Sequence, residues 1–296
     1  MLDLSGISVP IVTPFEGDKI AYHYLSENLQ FWKNFGLKGI VLLGSSGEGA
    51  ALSDGERIEF VESAIKYISE GALVIIGSAF HSSEQTVDFL KFGKEAGAHA
   101  ALVLPPFYYK NQMKDEVVKK FYFGVADMVN LPIIIYHIPQ VTGLTFSAEL
   151  VVELAQHPRI IGIKDSSANL IFQQTIIANK PDHFQVLTGS ASTILASLNA
   201  EAVGAIAAFA NIAPQLCIDI HNKVKGKEFW EARELQLKII RLNQLVTAVY
   251  GIPGLKYAMS KTGLHPGEPR LPLQPLASRA KKEIDRELKK LELISE

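Results

Sequence analysis

Eight short apolar, β-rich runs, at residues 7–15, 39–43, 73–77, 100–104, 132–136, 160–163, 184–187 and 203–207, alternate with amphipathic stretches of helical length. That alternation predicts an α/β fold, a closed (β/α)8 TIM barrel. The 296 residues suffice for one barrel of about 250 residues and leave material over. No G-x-G-x-x-G follows the first run, which weighs against a doubly wound open sheet.

The intervening helices are predicted over 22–35, 54–68, 83–96, 114–128 and 146–156, several opening on Ser or Asp in capping positions. Because the eighth strand ends near Ala207, residues 1–212 read as the barrel core. Residues 213–296 then read as the last barrel helix and a helical extension packed on the barrel, one structural unit with it. Helices fall near 214–224, 228–249, 253–262 and 275–291, the last charged and amphipathic. No linker, low-complexity tract or short-period repeat interrupts the chain.

Composition narrows the function classes. Hydrophobic residues at 48% and charged residues at 20% fit a globular chain with a large core. Lys+Arg at 29 against Asp+Glu at 31 lacks the basic excess that nucleic acid or an anionic membrane would require. One cysteine, Cys217, excludes an internal disulfide and a cysteine-rich metal site and fits a reducing compartment. The start "MLDLSG" has no basic n-region or apolar h-region, so a cytoplasmic location is expected.

Catalytic groups of a barrel stand at the C-terminal ends of its strands. The sixth run ends "GIKDSS", and strand alternation sets Lys164 on the face of Gly162, where a missing side chain would leave room for the lysine stem. An ordinary lysine is protonated at neutral pH, so an inward one repays its burial by attacking a ketone as a free amine. A lysine that only closes a strand, paired with Asp165 or solvent, is the alternative on this pattern alone.

The fifth run, "LPIIIYHIPQVTG", turns Tyr136 inward in phase with Ile134, where a phenol can exchange protons with a substrate oxygen; simple packing is the alternative. His137 faces away from the interior and reads as structural. In the second run, "GIVLLGSSGEG", Gly44 and Gly47 bracket Ser45 and Ser46, offering backbone N–H groups and two hydroxyls to a small carboxylate. An unliganded glycine turn is again the alternative. Glu48 would repel an anion and is expected to turn into the structure.

An amine, a phenol and a carboxylate cradle on one barrel face are what a 2-oxo acid needs. With "GSSGE", "YHIPQVTG" and "GIKDSS" in this order and spacing, the sequence resembles the dihydrodipicolinate synthase / N-acetylneuraminate lyase family over residues 4–276. The resemblance implies that Lys164 forms the imine, Tyr136 is the catalytic tyrosine, Ser46 binds the carboxylate and Ser45 relays protons to Tyr136. It implies a further tyrosine from a neighbouring subunit, Tyr109 in preference to Tyr108, and so at least a dimer; a homotetramer built as a dimer of dimers, usual for the family, is expected. Lysine-pathway synthases of this family carry an arginine where this chain has Val141, and an apolar side chain cannot grip a carboxylate.

"PPFYYKNQMKDE", "FQVLTGSAS", "AFANIAPQ" and "YGIPGLKYAMSKTG" resemble the 4-hydroxy-2-oxoglutarate aldolase branch, though that branch often has Ser-Asn where this chain has Ser45-Ser46. The expected function is therefore a class I aldolase acting on 4-hydroxy-2-oxoglutarate or a related 2-keto-3-deoxy acid. The alternatives are a dihydrodipicolinate synthase and, in another class, a non-catalytic 2-oxo acid binder. Beyond Ser46, the substrate-binding set is expected to include Gly47, Val141, Ser166, Gly189 and Ala207, with the loops at 189–192 and 209–211 reading the far end. No cofactor and no metal are expected, the covalent imine supplying the electron sink.

Overall fold

The computed structural model describes residues 2–295. Eight parallel strands close into a barrel: β1 (Gly6–Pro10), β2 (Gly39–Leu42), β3 (Leu73–Ser78), β4 (Ala100–Val103), β5 (Ile133–His137), β6 (Ile160–Asp165), β7 (Gln185–Thr188) and β8 (Gly204–Ile206). β1 pairs with both β2 and β8, which completes the ring and leaves no open edge. The interior is a packed column that includes Leu4, Val41, Ile75, Leu102, Ile134, Ile161, Leu187 and Ile206. A larger apolar layer joins the outer strand faces to the helices.

The first apolar run breaks sooner than its composition suggests. β1 stops at Pro10, and Phe15–Glu16 instead pairs antiparallel with Lys19–Ile20 in a small ribbon turned by Gly17 at φ 59°. Pro10 and Pro14 account for the break, since neither can donate to a ladder. The helices follow the expected order: Tyr22–Lys33, Asp54–Ile65, Ser83–Ala96, Asp115–Met128 and Ala148–Leu154. Ser53 opens the second with a full capping box to Glu56, and Ser82 and Ser147 cap the third and fifth.

After the barrel come helices Pro214–Lys225, Phe229–Gln244, Gly251–Lys261 and Ser278–Lys290. The helix expected over 228–249 ends as α at Gln244 and widens into a π turn at Leu245–Val249 before Gly251 at φ 56°. Among the described residues no helix is long and apolar enough to cross a membrane.

Candidate active site

β5 and β6 carry the centre of the site. Their register sets Tyr136 opposite Lys164 and His137 opposite Asp165, after an irregularity at Ile133/Ile134 that skips Ile161. Tyr136 and Lys164 point inward and are each 5% exposed, and the Lys164 Nζ stands 4.2 Å from the Tyr136 ring centroid. An ammonium there is held by the ring face, and a free amine there has an apolar wall behind it. The Tyr136 hydroxyl lies 3.1 Å from Ser45 Oγ, giving the phenol a partner that leads outward from the barrel.

Gly162 shares the phase of Lys164, but not for the reason read from the sequence. A Cβ on Gly162 would meet the Gln185 carbonyl oxygen at 2.5 Å, so the glycine serves the close approach of β7 to β6. The glycine that makes room for the lysine is Gly189, where a Cβ would fall 3.1 Å from Lys164 Cε and 1.9 Å from Ser166 Oγ. Ser166 Oγ is buried with no hydrogen-bond partner among the described residues.

The serine loop is bent at both ends. Leu43 and Glu48, neither a glycine, take left-handed conformations at φ 57° and 52°, each costing about 1–2 kcal/mol. Packing holds the first: Gly49 and Gly77 press against the Leu43 carbonyl, which a Cβ on either would approach within 2.6 Å. An ion pair holds the second. Glu48 turns inward, as expected, and its Oε1 lies 2.6 Å from Lys256 Nζ while its Oε2 accepts the Arg270 N–H. Lys256 also donates to the carbonyls of Thr13 and Glu268. Thr13 in turn donates from Oγ1 to the Gly47 carbonyl at 2.6 Å, so this loop and the C-terminal helices are braced together. Burial pushes Lys256 down to about 8, against the pull of Glu48.

The other expected residues are placed as follows. Ser45 is exposed, Ser46 half-buried and Gly47 buried, all in one 3-10 turn above the strand ends. Ala207 is buried just beyond β8. Val141 is 53% exposed in the short helix Pro139–Thr142. Tyr108 and Tyr109 are exposed on the loop after β4; Tyr108 leans on His81 of its own chain, and Tyr109 packs edge-on against Tyr108. Among the described residues no three His, Cys, Asp or Glu side chains gather as a metal group.

Thr13 and Lys256, which shape the serine loop, escaped the sequence reading. Their signal was available: a threonine inside the apolar run "VPIVTPF", and a lysine on the apolar face of "GIPGLKYAMSK".

The protein is an enzyme, a carbon–carbon lyase of the class I, pyruvate-dependent aldolase type, as its family shows, and its barrel sets an inward lysine beside a hydrogen-bonded tyrosine at the mouth. The chain belongs to the dihydrodipicolinate synthetase family, whose model matches residues 3–291. A 4-hydroxy-tetrahydrodipicolinate synthase of Archaeoglobus fulgidus is 33% identical, the match covering 98% of this chain and 99% of the relative. The chloride-inhibited dihydrodipicolinate synthase of Acinetobacter baumannii, solved with pyruvate, superposes with a TM-score of 0.94 at 28% identity, covering 99% of this chain and 100% of that one. A prophage protein of the same family from E. coli K12, also solved with pyruvate, superposes at 0.91 with 26% identity, covering 98% and 99%.

Proposed function

We propose that the protein holds pyruvate as an imine on Lys164 and makes or breaks the bond beside it. The observation that carries this is the Lys164 amine, buried against Tyr136, whose hydroxyl is bonded to Ser45. In the cleavage direction Lys164 Nζ adds to the C2 ketone and water leaves, giving a protonated imine. Tyr136, its proton passed through Ser45, takes the proton of the C4 hydroxyl; the C3–C4 electrons flow into the imine. The aldehyde departs, C3 is protonated and hydrolysis frees pyruvate. Ser46 holds the carboxylate, the Gly47 N–H being already donated to the Gly44 carbonyl at 3.0 Å, and no cofactor or metal takes part in this scheme. Condensation is the same path reversed.

Two readings of the second substrate have support of different kinds. The relatives are named 4-hydroxy-tetrahydrodipicolinate synthases, and that naming favours the synthase reading, condensation of pyruvate with aspartate semialdehyde, over cleavage. Val141 offers a remote carboxylate no cation, which weighs against aspartate semialdehyde and equally against the far carboxylate of 4-hydroxy-2-oxoglutarate, so it favours cleavage of a related 2-keto-3-deoxy acid with an uncharged far end, while 4-hydroxy-2-oxoglutarate rests on the motif resemblance. Steady-state assays in both directions decide between them. Pyruvate release from 4-hydroxy-2-oxoglutarate, with no condensation, supports cleavage; the reverse result supports the synthase.

The same proposal includes a cytoplasmic homotetramer in which Tyr109 reaches a neighbouring site. The exposure of Tyr109, with Tyr108 turned onto its own His81, supports it. Full activity of a monomer in sedimentation would end it.

A further inference from the structure

Behind the Lys164–Tyr136 pair, on the outer face of the same two strands, lies a second pair one residue on. His137 Nδ1 and Asp165 Oδ1 are 2.8 Å apart, with the side chains 2% and 0% exposed. The direction of this bond is fixed by the other ring nitrogen: His137 Nε2 accepts the Phe146 N–H at 3.2 Å, so Nδ1 carries the proton and donates to Asp165. The ring sits between Phe146 and Phe172. Asp165 is held in turn by Gln173 Nε2 at 2.8 Å and by the Ser167 N–H and hydroxyl at 3.0 and 2.9 Å. The backbone follows suit: the Ser166 N–H donates to the His137 carbonyl and the Gly189 N–H to the Asp165 carbonyl.

We propose that His137 and Asp165 are positioning residues, whose outer-face hydrogen bond fixes the β5–β6 register that sets the Lys164 amine over the Tyr136 ring. The inference rests on the imine chemistry proposed for Lys164. Side chains alternate, so a rotation or slip of either strand end that broke the outer bond would displace the inner pair with it. Both side chains are buried outside the barrel, on the face opposite the Lys164–Tyr136 pair. A displacement of about 1 Å at the reacting atoms costs on the order of a hundredfold in rate, which sets the size of effect available.

The test compares wild type with His137→Phe, His137→Asn and Asp165→Asn. Phenylalanine keeps the ring between Phe146 and Phe172 and loses both hydrogen bonds. Asparagine at 137 retains a donor near the Nδ1 position. The readings are the rate of borohydride-trapped pyruvyl adduct by intact mass, at saturating pyruvate and well below each variant's Tm, together with pyruvate KM. The expected result is a trapping rate lowered at least about tenfold in His137→Phe with KM within about threefold, recovery in His137→Asn, and non-additivity of His137→Phe with Asp165→Asn. A folded His137→Phe that traps as fast as wild type overturns the proposal. If that variant does not fold, Asp165→Asn trapping at the wild-type rate overturns it equally. Wild type that forms no adduct refutes the imine itself, a different failure from fast trapping in the variants.

Discussion

Glu48 Oε1 and Lys256 Nζ stand 2.6 Å apart with both side chains about 1% exposed, joining the serine loop to a helix two hundred residues later in the chain. A buried pair adds little when compared with an apolar replacement, yet losing one partner leaves the other charge stranded. Lys256→Met should therefore destabilise the fold by about 3–5 kcal/mol, and Glu48→Gln combined with Lys256→Met by less than the single change. Urea unfolding at pH 7 measures both.

The same lysine gives a pH signature. Lys256 is pushed down to about 8 by burial, against an ordinary 10.5. Between those values the unfolded chain keeps the proton that the native protein has released, so this group's contribution to stability rises with pH across the window. Below it the lysine is charged in both states and contributes no slope. The stability difference between wild type and Lys256→Met should thus grow in favour of wild type from pH 8 toward 10.5. A flat difference would contradict the assignment.

Asp165 predicts the acid side. Burial pushes its carboxyl up, but the bonds from His137, Gln173 and Ser167 outweigh that and hold it below its ordinary value of 3.8. Its stabilisation is fully present above that value and is lost as pH falls through it toward the lower folded value. Asp165→Asn should flatten the fall of the urea midpoint with acid, compared with wild type over the same range.

Cys217 should be silent in the native protein. It is fully buried, and burial pushes its thiol up to about 12. A thiol-reactive chromophore at pH 8 should label no cysteine natively and one per chain in denaturant.

Within the site, Gly189→Ala should slow turnover without loss of fold, because its methyl would press on Lys164 Cε and Ser166 Oγ. Tyr136→Phe should lower kcat by about 10²–10⁴-fold, the usual share of a general acid–base group. Steady-state kinetics on the better substrate check both.

Much of this was legible in the sequence because strands report themselves by local pattern. β5 and β6 could be placed to within two residues, and alternation alone turned Tyr136 inward and His137 outward. What stayed hidden depends on pieces distant in sequence. No local rule links Glu48 to Lys256 or Thr13 to Gly47, and the room around Lys164 comes from Gly189 on the next strand and not from Gly162 on its own. The His137–Asp165 bond lay between these extremes: each residue follows one of the two inward groups, so the register that pairs Tyr136 with Lys164 pairs these as well.

The proposed chemistry depends above all on the Lys164 amine forming an imine. The direct measurement is the intact mass of wild type and Lys164→Arg after incubation with pyruvate and borohydride. The expected result is a gain of about 72 Da, the reduced pyruvyl adduct, in wild type alone. No gain in wild type would contradict the mechanism, and an equal gain in Lys164→Arg would contradict the choice of lysine.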